Sequence, residues 1–496
     1  MMSYMLKLRI KQIDHFMKYS QETQLEMFHK LIEKGKQTQW GNSHGYKDIK
    51  SVEDFQEQVP IQDYEDLEPW INRVMKGEQG LLWPSEIKWF AKSSGTTSAR
   101  SKFIPVSKEA LEDCHFMGGK DLMALYFHNN PSSRVFSGRG LVMGGSHQVN
   151  KLSEGSFYGD VSAVMMQNMP VAARFIRTPD LSIALMDDWE DKIEAMANTT
   201  LKQNVTHIAG VPTWTLVLIR RLFEKTGKDN LAEIWPNLEL YIHGGVSFRP
   251  YKKIFSQLIR SSQMHYLETY NASEGFFGVQ DTLDRDDMLL MLDYGIFYEF
   301  IPMDQMNEAQ PKTVLLDQVE KGKVYALVIS TNAGLWRYRI GDTVRFTDTN
   351  PYRVQVSGRI KHFINAFGEE VIVDNADRAI QKACDVSGAR VRDYTAAPIY
   401  FEGNARGGHE WIIEFEAPPD SLTQFVIELD QALQDVNSDY AAKRFKSIAL
   451  ELPVVHAVKE GTFYKWLKSK GKLGGQHKVP RLSNTRQYVE EILTLL

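Results

Sequence analysis

The sequence predicts an α/β protein built from at least two folded bodies. Short apolar runs rich in β-branched and aromatic residues alternate with segments whose apolar residues recur at helical spacing, which is typical of helices packed on a sheet. The 496 residues exceed the about 250–300 that one hydrophobic core accommodates. After Pro351 the pattern changes to shorter strand and helix segments. We therefore predict a body over residues 1–357 and a smaller C-terminal domain over residues 358–496.

The elements of the body are predicted from periodicity and from end signals. Residues 3–36 carry apolar side chains on one face of two amphipathic helices. A helix is expected at Asp187, which together with Glu190 has the form of a capping box, and another from Pro212 to a C-cap at Gly227. Strands are predicted at four apolar, β-rich runs, namely Ile87–Ala91, Val205–Gly210, Leu238–Ile242 and Val324–Ile329.

The C-terminal domain is predicted to alternate strands with helices. Trp411–Phe415 alternates apolar and polar residues as a strand does, and Leu422–Leu433 has helical periodicity. Ile448–Val455 is again strand-like. The expected domain is therefore a small α/β unit that follows the larger body.

Composition and charge exclude several classes of protein. The chain has 58 Lys and Arg against 63 Asp and Glu, a net charge of −5, which argues against nucleic-acid binding through bulk basic charge. Its two cysteines, Cys114 and Cys384, form no Cys-x-x-Cys pair, so a disulfide framework and a cysteine zinc site are disfavoured. Charged residues interrupt the N-terminal apolar stretch, and no run reaches the ~18 apolar residues of a membrane span. We expect a cytoplasmic protein.

The segment Lys92–Lys102 is the first candidate for chemistry. It packs hydroxyls and cations around one glycine between two strand-like runs, and such a loop can offer a phosphate both backbone N–H groups and positive charge. It is not a Walker A loop, because the required Gly-x-x-x-x-Gly-Lys-Ser/Thr spacing is absent. The segment is either a phosphate-binding loop or an ordinary polar hairpin loop.

The second candidate is the run Tyr270–Gly275, which directly follows an apolar strand. Glu274 lies where the carboxyl end of a strand in an α/β sheet presents side chains to ligands, and its carboxylate could hold a Mg²⁺ ion that bridges phosphates. Alternatively, the run is a turn with a solvated glutamate.

The third candidate is Asp342, within the run Trp336–Arg345. It follows a glycine after an alternating segment. It is therefore either a residue that forms a turn or an acceptor for vicinal hydroxyls such as those of a ribose.

The fourth candidate is Lys478, in the glycine-rich segment Gly471–Arg481 near the C-terminus. Three glycines predict a mobile loop. The lysine is either an ordinary solvated surface residue or a cation that swings onto a phosphoryl oxygen.

Taken together, the four segments resemble the auxin-responsive (Gretchen Hagen) family of acyl acid amido synthetases, within the adenylate-forming superfamily that includes luciferases. The matches occur in order from residue 87 to residue 481 and so cover nearly the whole chain. Gly358–Val371 is similar to the bacterial branch, so auxin or jasmonate is not carried over as substrate. The matching motif residues are Ser93, Ser94, Gly95, Thr96 and Thr97; Tyr270, Ser273 and Glu274; Tyr338, Arg339, Gly341 and Asp342; Gly358 and Arg359; and Gln476, Lys478, Pro480 and Arg481.

The resemblance implies a large N-terminal adenylate-forming, luciferase-like α/β domain with a β-rich subdomain, and a small α/β C-terminal domain hinged near Arg359. It implies that the loop Ser93–Thr97 cradles the phosphates of ATP, that Glu274 binds Mg²⁺ and that Asp342 holds the ribose. Lys478 and Glu274 are the implied catalytic residues. Residues implied beside the adenine are His243, Gly244, Gly245, Tyr270, Asn271, Ala272 and Ser273.

The implied reaction has two halves and uses ATP and Mg²⁺. A small carboxylic acid attacks the α-phosphorus of ATP to give an acyl adenylate and pyrophosphate, and an amine, expected to be that of an amino acid, then displaces AMP. One alternative keeps the first half and passes the acyl group to the thiol of CoA. Another is a nucleotide-binding protein without turnover. No nucleic acid and no membrane span is expected.

Overall fold

The computed structural model describes residues 2–93, 102–143, 149–153, 155–186, 188–246, 248, 251–306, 308, 310–359, 363–401, 406–445, 449–470 and 479–496. The helices are α1 Met2–Lys18, α2 Ser20–Gly35, α3 Gln39–Ser43, α4 Val52–Gln58, α5 Tyr64–Met75, α6 Phe116–Asn129, α7 Val161–Gln167, α8 Val171–Phe175, α9 Leu181–Ala184, α10 Trp189–Thr200, α11 Pro212–Thr226, α12 Leu231–Ile234, α13 Lys252–Leu258, α14 Val373–Ser387, α15 Leu422–Val436, α16 Ser438–Arg444, α17 Thr462–Ser469 and α18 Gln487–Leu493.

The strands are short in the parallel part of the body and longer in its antiparallel part. They are β1 Trp89–Ser93, β2 Lys102–Val106, β3 Arg139–Val142, β4 Asn150–Ser153, β5 Ser156–Gly159, β6 Arg177–Thr178, β7 Val205–Ala209, β8 Leu240–Gly244, β9 His265–Ala272, β10 Gly275–Val279, β11 Met288–Leu290, β12 Ile296–Pro302, β13 Val324–Thr331, β14 Tyr338–Thr349, β15 Tyr352–Arg359, β16 Phe363–Ile364, β17 Val371–Ile372, β18 Arg390–Ile399, β19 Gly408–Ala417 and β20 Val454–Val458.

An 11-stranded sheet organises the body, in the order β12-β13-β14-β15-β11-β10-β9-β8-β7-β3-β6. Strands β9, β8, β7, β3 and β6 are parallel, with helices between several of them, whereas β10 to β15 pair antiparallel. The sheet therefore has an α/β half and a β-rich half that meet at β9. A second sheet, of order β2-β1-β5-β4, carries the β1–β2 hairpin.

The C-terminal domain is a sheet of order β18-β19-β20 covered by helices α14 and α15. One hydrophobic core lies in the β-rich half and includes α1 and α2, while a second runs from α10 and α11 into the C-terminal domain. The predicted boundary between residues 357 and 358 falls within β15, and its position stays a prediction. No helix within the described ranges is both long and apolar enough to cross a membrane.

Most predicted elements are present, and two differ in position. The helix expected at Asp187 is α10, but its N-cap is Asp188, whose carboxylate accepts a 2.9 Å hydrogen bond from the Asp191 amide. The prediction that Asp187 caps this helix is therefore wrong, because the N-cap is the next residue, Asp188. Asp187 itself lies outside the described residues. The strand expected at Ile448–Val455 begins only at Val454. By contrast, α11 begins with Pro212 and ends at left-handed Gly227, as predicted.

Candidate active site

Tyr270 and Asp342 form the centre of the candidate site. Tyr270 lies near the carboxyl end of β9, and its hydroxyl donates a 2.7 Å hydrogen bond to Asp342 Oδ2. Asp342 is a residue of β14 that pairs with Arg359 of β15, so it does not form a turn. Three strands separate β9 from β14 in the sheet order, and the sheet must therefore curl for these side chains to meet. Both residues are buried.

Ser273 and Glu274 form the tight turn between β9 and β10, directly after Asn271 and Ala272. Because β8 and β9 are parallel, this turn stands at the carboxyl edge of the α/β half. Burial, and next the nearby charge of Glu274, raise the pKa of Tyr338 well above its ordinary value. The buried Tyr338 hydroxyl has no hydrogen-bond partner among the residues described. Glu274 therefore lies near enough to Tyr338 for its charge to act on the phenol.

His243 and Gly244 end the neighbouring parallel strand β8, and Gly245 follows directly. A Cβ at Gly244 would lie 2.6 Å from the Thr269 carbonyl oxygen, so the close approach of β8 to β9 requires glycine there. Burial lowers the pKa of His243 to about 3, and the ring stacks on Phe248 with centroids 4.0 Å apart. Its buried Nδ1 has no partner within the described part of the chain. Burial therefore favours the neutral imidazole, whose Nδ1 is a buried polar atom with no partner among the described residues.

The predicted phosphate loop lies between β1 and β2, which pair as an antiparallel hairpin. Ser93 ends β1, whereas Ser94, Gly95, Thr96 and Thr97 lie outside the described residues.

Strand β2, which follows this segment in sequence, is tied to β14 through the start of α5 and the residue Gln62 that precedes it. The Phe103 amide donates a 2.8 Å hydrogen bond to the hydroxyl of Tyr64, the first residue of α5. Gln62, two residues before Tyr64, donates a 2.9 Å backbone hydrogen bond to the Arg337 carbonyl oxygen and accepts one of 2.8 Å from the Arg339 amide. These two bonds lie on either side of Tyr338. Arg339 also forms a bidentate ion pair with Asp63. Strand β2 and the Asp342 strand β14 therefore share one support.

Sequence reasoning missed Arg337, which directly precedes this strand. Arg337 has a left-handed backbone, with φ of 43°, and its guanidinium donates two hydrogen bonds, of 2.9 and 3.0 Å, to the buried carboxylate of Glu299. It also donates a 2.6 Å bond to the Val59 carbonyl oxygen. No local signal could have identified this contact, because both partners are far from Arg337 in sequence. The ion pair fixes the point at which the chain enters β14.

Two predicted site residues, Arg359 and Lys478, lie partly or wholly outside the described structure. The backbone of Arg359 ends β15 opposite Asp342, but its side chain is not described. Lys478 lies outside the described residues. No group of three or more His, Cys, Asp or Glu side chains that could hold a metal ion occurs in the described ranges.

Comparison with known proteins places this chain in a family. Models of the GH3 family match the N-terminal domain at residues 9–264, the central domain at 289–359 and the C-terminal domain at 374–487. A jasmonoyl-L-amino acid synthetase of Nicotiana attenuata is 24% identical, with 95% of this chain and 92% of that protein covered. An indole-3-acetic acid-amido synthetase of Arabidopsis thaliana is 25% identical, with 88% and 84% covered.

Two solved structures share the fold. An acyl acid amido synthetase in complex with 2,4-DB superposes with a TM-score of 0.66 at 17% identity, with 99% of this chain and 96% of that chain covered. A 2-hydroxyisobutyryl-CoA ligase in complex with 2-HIB-AMP and CoA gives a TM-score of 0.58 at 14% identity, with 96% and 93% covered. The predicted fold class is thereby confirmed. Since the family models account for most of its length, the chain belongs to the GH3 family.

Proposed function

We propose that this protein is an ATP-dependent ligase that activates a carboxylic acid as an acyl adenylate and transfers the acyl group to the amine of an amino acid. The observation that carries the proposal is the hydrogen bond between Tyr270 and Asp342, which joins two motifs at the carboxyl edge of the α/β half. Ligands of α/β sheets bind at this edge. Membership of the GH3 family, whose relatives include acid-amido synthetases, supports the reaction class.

Asp342 is proposed to accept the ribose hydroxyls of ATP. The Tyr270 hydroxyl holds one of its carboxylate oxygens and so fixes the plane of the carboxylate. Hydrogen bonds to an ionised acceptor are stronger than neutral ones, and burial keeps bulk water from competing for it. The neutral ring of His243 and the close backbone turn at Gly244 and Gly245 are proposed to lie against the adenine.

Glu274 is proposed to hold Mg²⁺ together with phosphate oxygens of ATP. The carboxylate of Glu274 suits this ion, which commonly takes one or two protein carboxylates and completes its shell with water and phosphate. When bound, the ion neutralises charge on the phosphates during displacement at phosphorus. The adjacent buried hydroxyl of Tyr338, which has no partner within the described ranges, fits a site that a polar substrate completes.

The remaining proposed contacts come from loops. Ser93, Ser94, Gly95, Thr96 and Thr97 are proposed to bind the β- and γ-phosphates, and Lys478 is proposed to neutralise the α-phosphate in the transition state. The carboxylate oxygen of the acid forms a bond to the α-phosphorus as pyrophosphate leaves. The amine then forms a bond to the acyl carbon as AMP leaves. Arg359 is proposed to mark the hinge between the two domains.

The proposed location is the cytoplasm. Both cysteines are free, Cys114 buried and Cys384 partly exposed. Free thiols fit a reducing compartment.

Pyrophosphate exchange with a library of carboxylic acids tests the proposal. Exchange of labelled pyrophosphate into ATP that depends on one acid is the expected result, and no exchange with any acid would leave only nucleotide binding. Mass spectrometry of the products formed with amino acids or with CoA then separates an amide from a thioester. Lys465→Met, which replaces an exposed lysine on α17, serves as the matched control and is expected to behave as wild type.

A further inference from the structure

The hydroxyl of Tyr338 is a buried hydrogen-bond donor that the described structure does not use. Tyr338 is the first residue of β14 and is 0% exposed. Its hydroxyl has no hydrogen-bond partner among the residues described. Buried polar groups almost always have a partner, and a buried group without one destabilises the folded state. The fold therefore gains nothing from this hydroxyl, whereas a ligand that accepts its hydrogen would complete the missing bond.

The two residues on either side of this tyrosine are firmly held. Arg337 forms a buried ion pair with Glu299, and Arg339 donates two hydrogen bonds to the carboxylate of Asp63. The backbone of Gln62 bonds to both arginines, at 2.9 and 2.8 Å. The donor is therefore in place before a ligand binds, and binding loses little conformational entropy.

Tyr338 lies between the proposed ribose contact and the start of the proposed phosphate loop. Asp342 follows four residues later on β14, which is at most ~13 Å along an extended strand. On the other side, the ring of Tyr64 lies 5.4 Å from Lys102 Nζ, and Lys102 pairs with Ser93 where the β1–β2 hairpin leads into the loop. A ribose held at Asp342 therefore has its triphosphate chain within reach of this part of β14.

The chemistry of the phenol defines the group that it would bind. A phenol is protonated at neutral pH and offers a single O–H donor, so the missing partner is an acceptor. Glu274, the residue proposed to hold Mg²⁺, is near enough for its charge to act on the phenol. Of the acceptors on ATP, the phosphate oxygens are those expected beside the metal ion and the loop.

We propose that the hydroxyl of Tyr338 donates a hydrogen bond to an oxygen of the β- or γ-phosphate of ATP. This inference rests on the proposed function and adds a binding residue to its first half-reaction. The bond holds the pyrophosphate group that leaves when the carboxylic acid attacks the α-phosphorus. AMP lacks both of these phosphates, so the hydroxyl favours ATP and pyrophosphate over AMP.

Two tyrosine-to-phenylalanine variants test the proposal, because each removes only a hydroxyl. Tyr338→Phe removes the donor, and Tyr298→Phe is the matched control. Tyr298 on β12 and Tyr338 on β14 pair with the same residue of β13, Ile329, from opposite sides. Tyr298 is also buried, at 1% exposed, but its hydroxyl donates a 3.1 Å hydrogen bond to the Met291 carbonyl oxygen.

The two variants are expected to show opposite effects in titration and unfolding. In calorimetric titrations with Mg²⁺ present, Tyr338→Phe should raise the dissociation constants of ATP and pyrophosphate about tenfold and that of AMP by less than about twofold. Its midpoint of urea unfolding should be no lower than that of the wild type, because no partner is lost. Tyr298→Phe should lower the midpoint and leave all three dissociation constants unchanged.

Several outcomes would overturn the proposal. An equal loss of affinity for ATP and AMP would place the hydroxyl on the nucleoside, and unchanged affinity for ATP would leave it without a role in binding. A loss of stability like that of Tyr298→Phe, or a failure of Tyr338→Phe to fold, would show that the hydroxyl has a structural partner. Titration requires no turnover, so it decides this inference even if absence of pyrophosphate exchange in the wild type rejects the proposed reaction.

Discussion

The corner of the body that contains Tyr270 and Asp342, where we propose that the nucleotide binds, and the seam between the body and the C-terminal domain are built in different ways. In the corner, Tyr270 and Asp342 lie on strands of one sheet, so the register of that sheet fixes the distance between them. At the seam, the body and the C-terminal domain meet through apolar packing, through a 2.5 Å hydrogen bond from Tyr251 at the start of α13 to the Ala366 carbonyl oxygen, and through Lys443 of α16 over Trp214 of α11. A site on a sheet is formed before its ligand binds, whereas contacts across a seam can be made and broken.

The largest expected effect is a loss of stability when Arg337, which fixes the point where the chain enters β14, is replaced. Arg337→Met leaves the carboxylate of Glu299 buried without its partner, and removing one member of a buried ion pair costs about 3–5 kcal/mol of unfolding free energy. Urea unfolding measures this loss.

Arg260→Met is the matched control for that variant. It breaks an exposed ion pair with Asp229, and exposed pairs contribute about 1 kcal/mol or less. Equal losses for the two variants would mean that the Arg337–Glu299 pair does not hold β14 in place.

The next largest effect concerns Lys478, which belongs to the C-terminal domain. Lys478→Ala is expected to reduce pyrophosphate exchange by two or more powers of ten, about 3 kcal/mol, because a cation is lost from the adenylation transition state. Amide formation from a chemically supplied acyl adenylate should survive, since that step neutralises no new phosphate charge. If both half-reactions fall equally, or neither falls, Lys478 is not the adenylation lysine.

A third prediction tests whether Asp342 contributes to ATP binding. Asp342→Asn is expected to weaken ATP binding by about 1.5–3 kcal/mol, or ten- to a hundredfold, because a charge-assisted hydrogen bond is lost. Calorimetric titration with ATP measures the dissociation constant. Tyr270→Phe, which removes only the hydroxyl that orients the carboxylate, should cost less, about 0.5–1.5 kcal/mol. An unchanged dissociation constant in Asp342→Asn would exclude the ribose contact.

The smallest effect is a pH dependence of stability that originates in the body. Burial lowers the pKa of His243 to about 3 and those of His115 and His207 to about 4, against an ordinary value of 6.5. Below pH 6.5 the unfolded chain binds protons that the folded chain does not, so stability is lost as pH falls from 6.5 toward these values. For His243 alone this loss is about 1 kcal/mol between pH 6.5 and pH 5.5, because the unfolded imidazole is already half protonated at pH 6.5.

Urea unfolding at pH 6.5 and at pH 5.5 measures this slope. His243→Gln should make it shallower, because glutamine takes up no proton. A slope that is the same in the variant and the wild type would show that His243 titrates normally in the folded protein.

Local patterns predicted individual elements well where end signals were strong. Pro212 and Gly227 bound α11 because proline fixes the first helical turn and glycine adopts the left-handed conformation beyond the last. At α10 two consecutive aspartates could each cap the helix, and spacing alone selected the wrong one. The run at Ile448 is apolar enough for a strand, but only Val454–Val458 pairs with β19. Strand formation depends on a partner that periodicity does not reveal.

The sequence by itself determined the fold class, the order of the motifs and the residue types at the candidate site, because helix and strand periodicity and motif spacing are local properties. Only the tertiary structure decided that Tyr270 and Asp342, 72 residues apart, share a hydrogen bond, and that Lys443 lies on Trp214. Such contacts depend on how the sheet curls and how the domains pack. Those arrangements minimise the free energy of the whole chain, and no short segment encodes them.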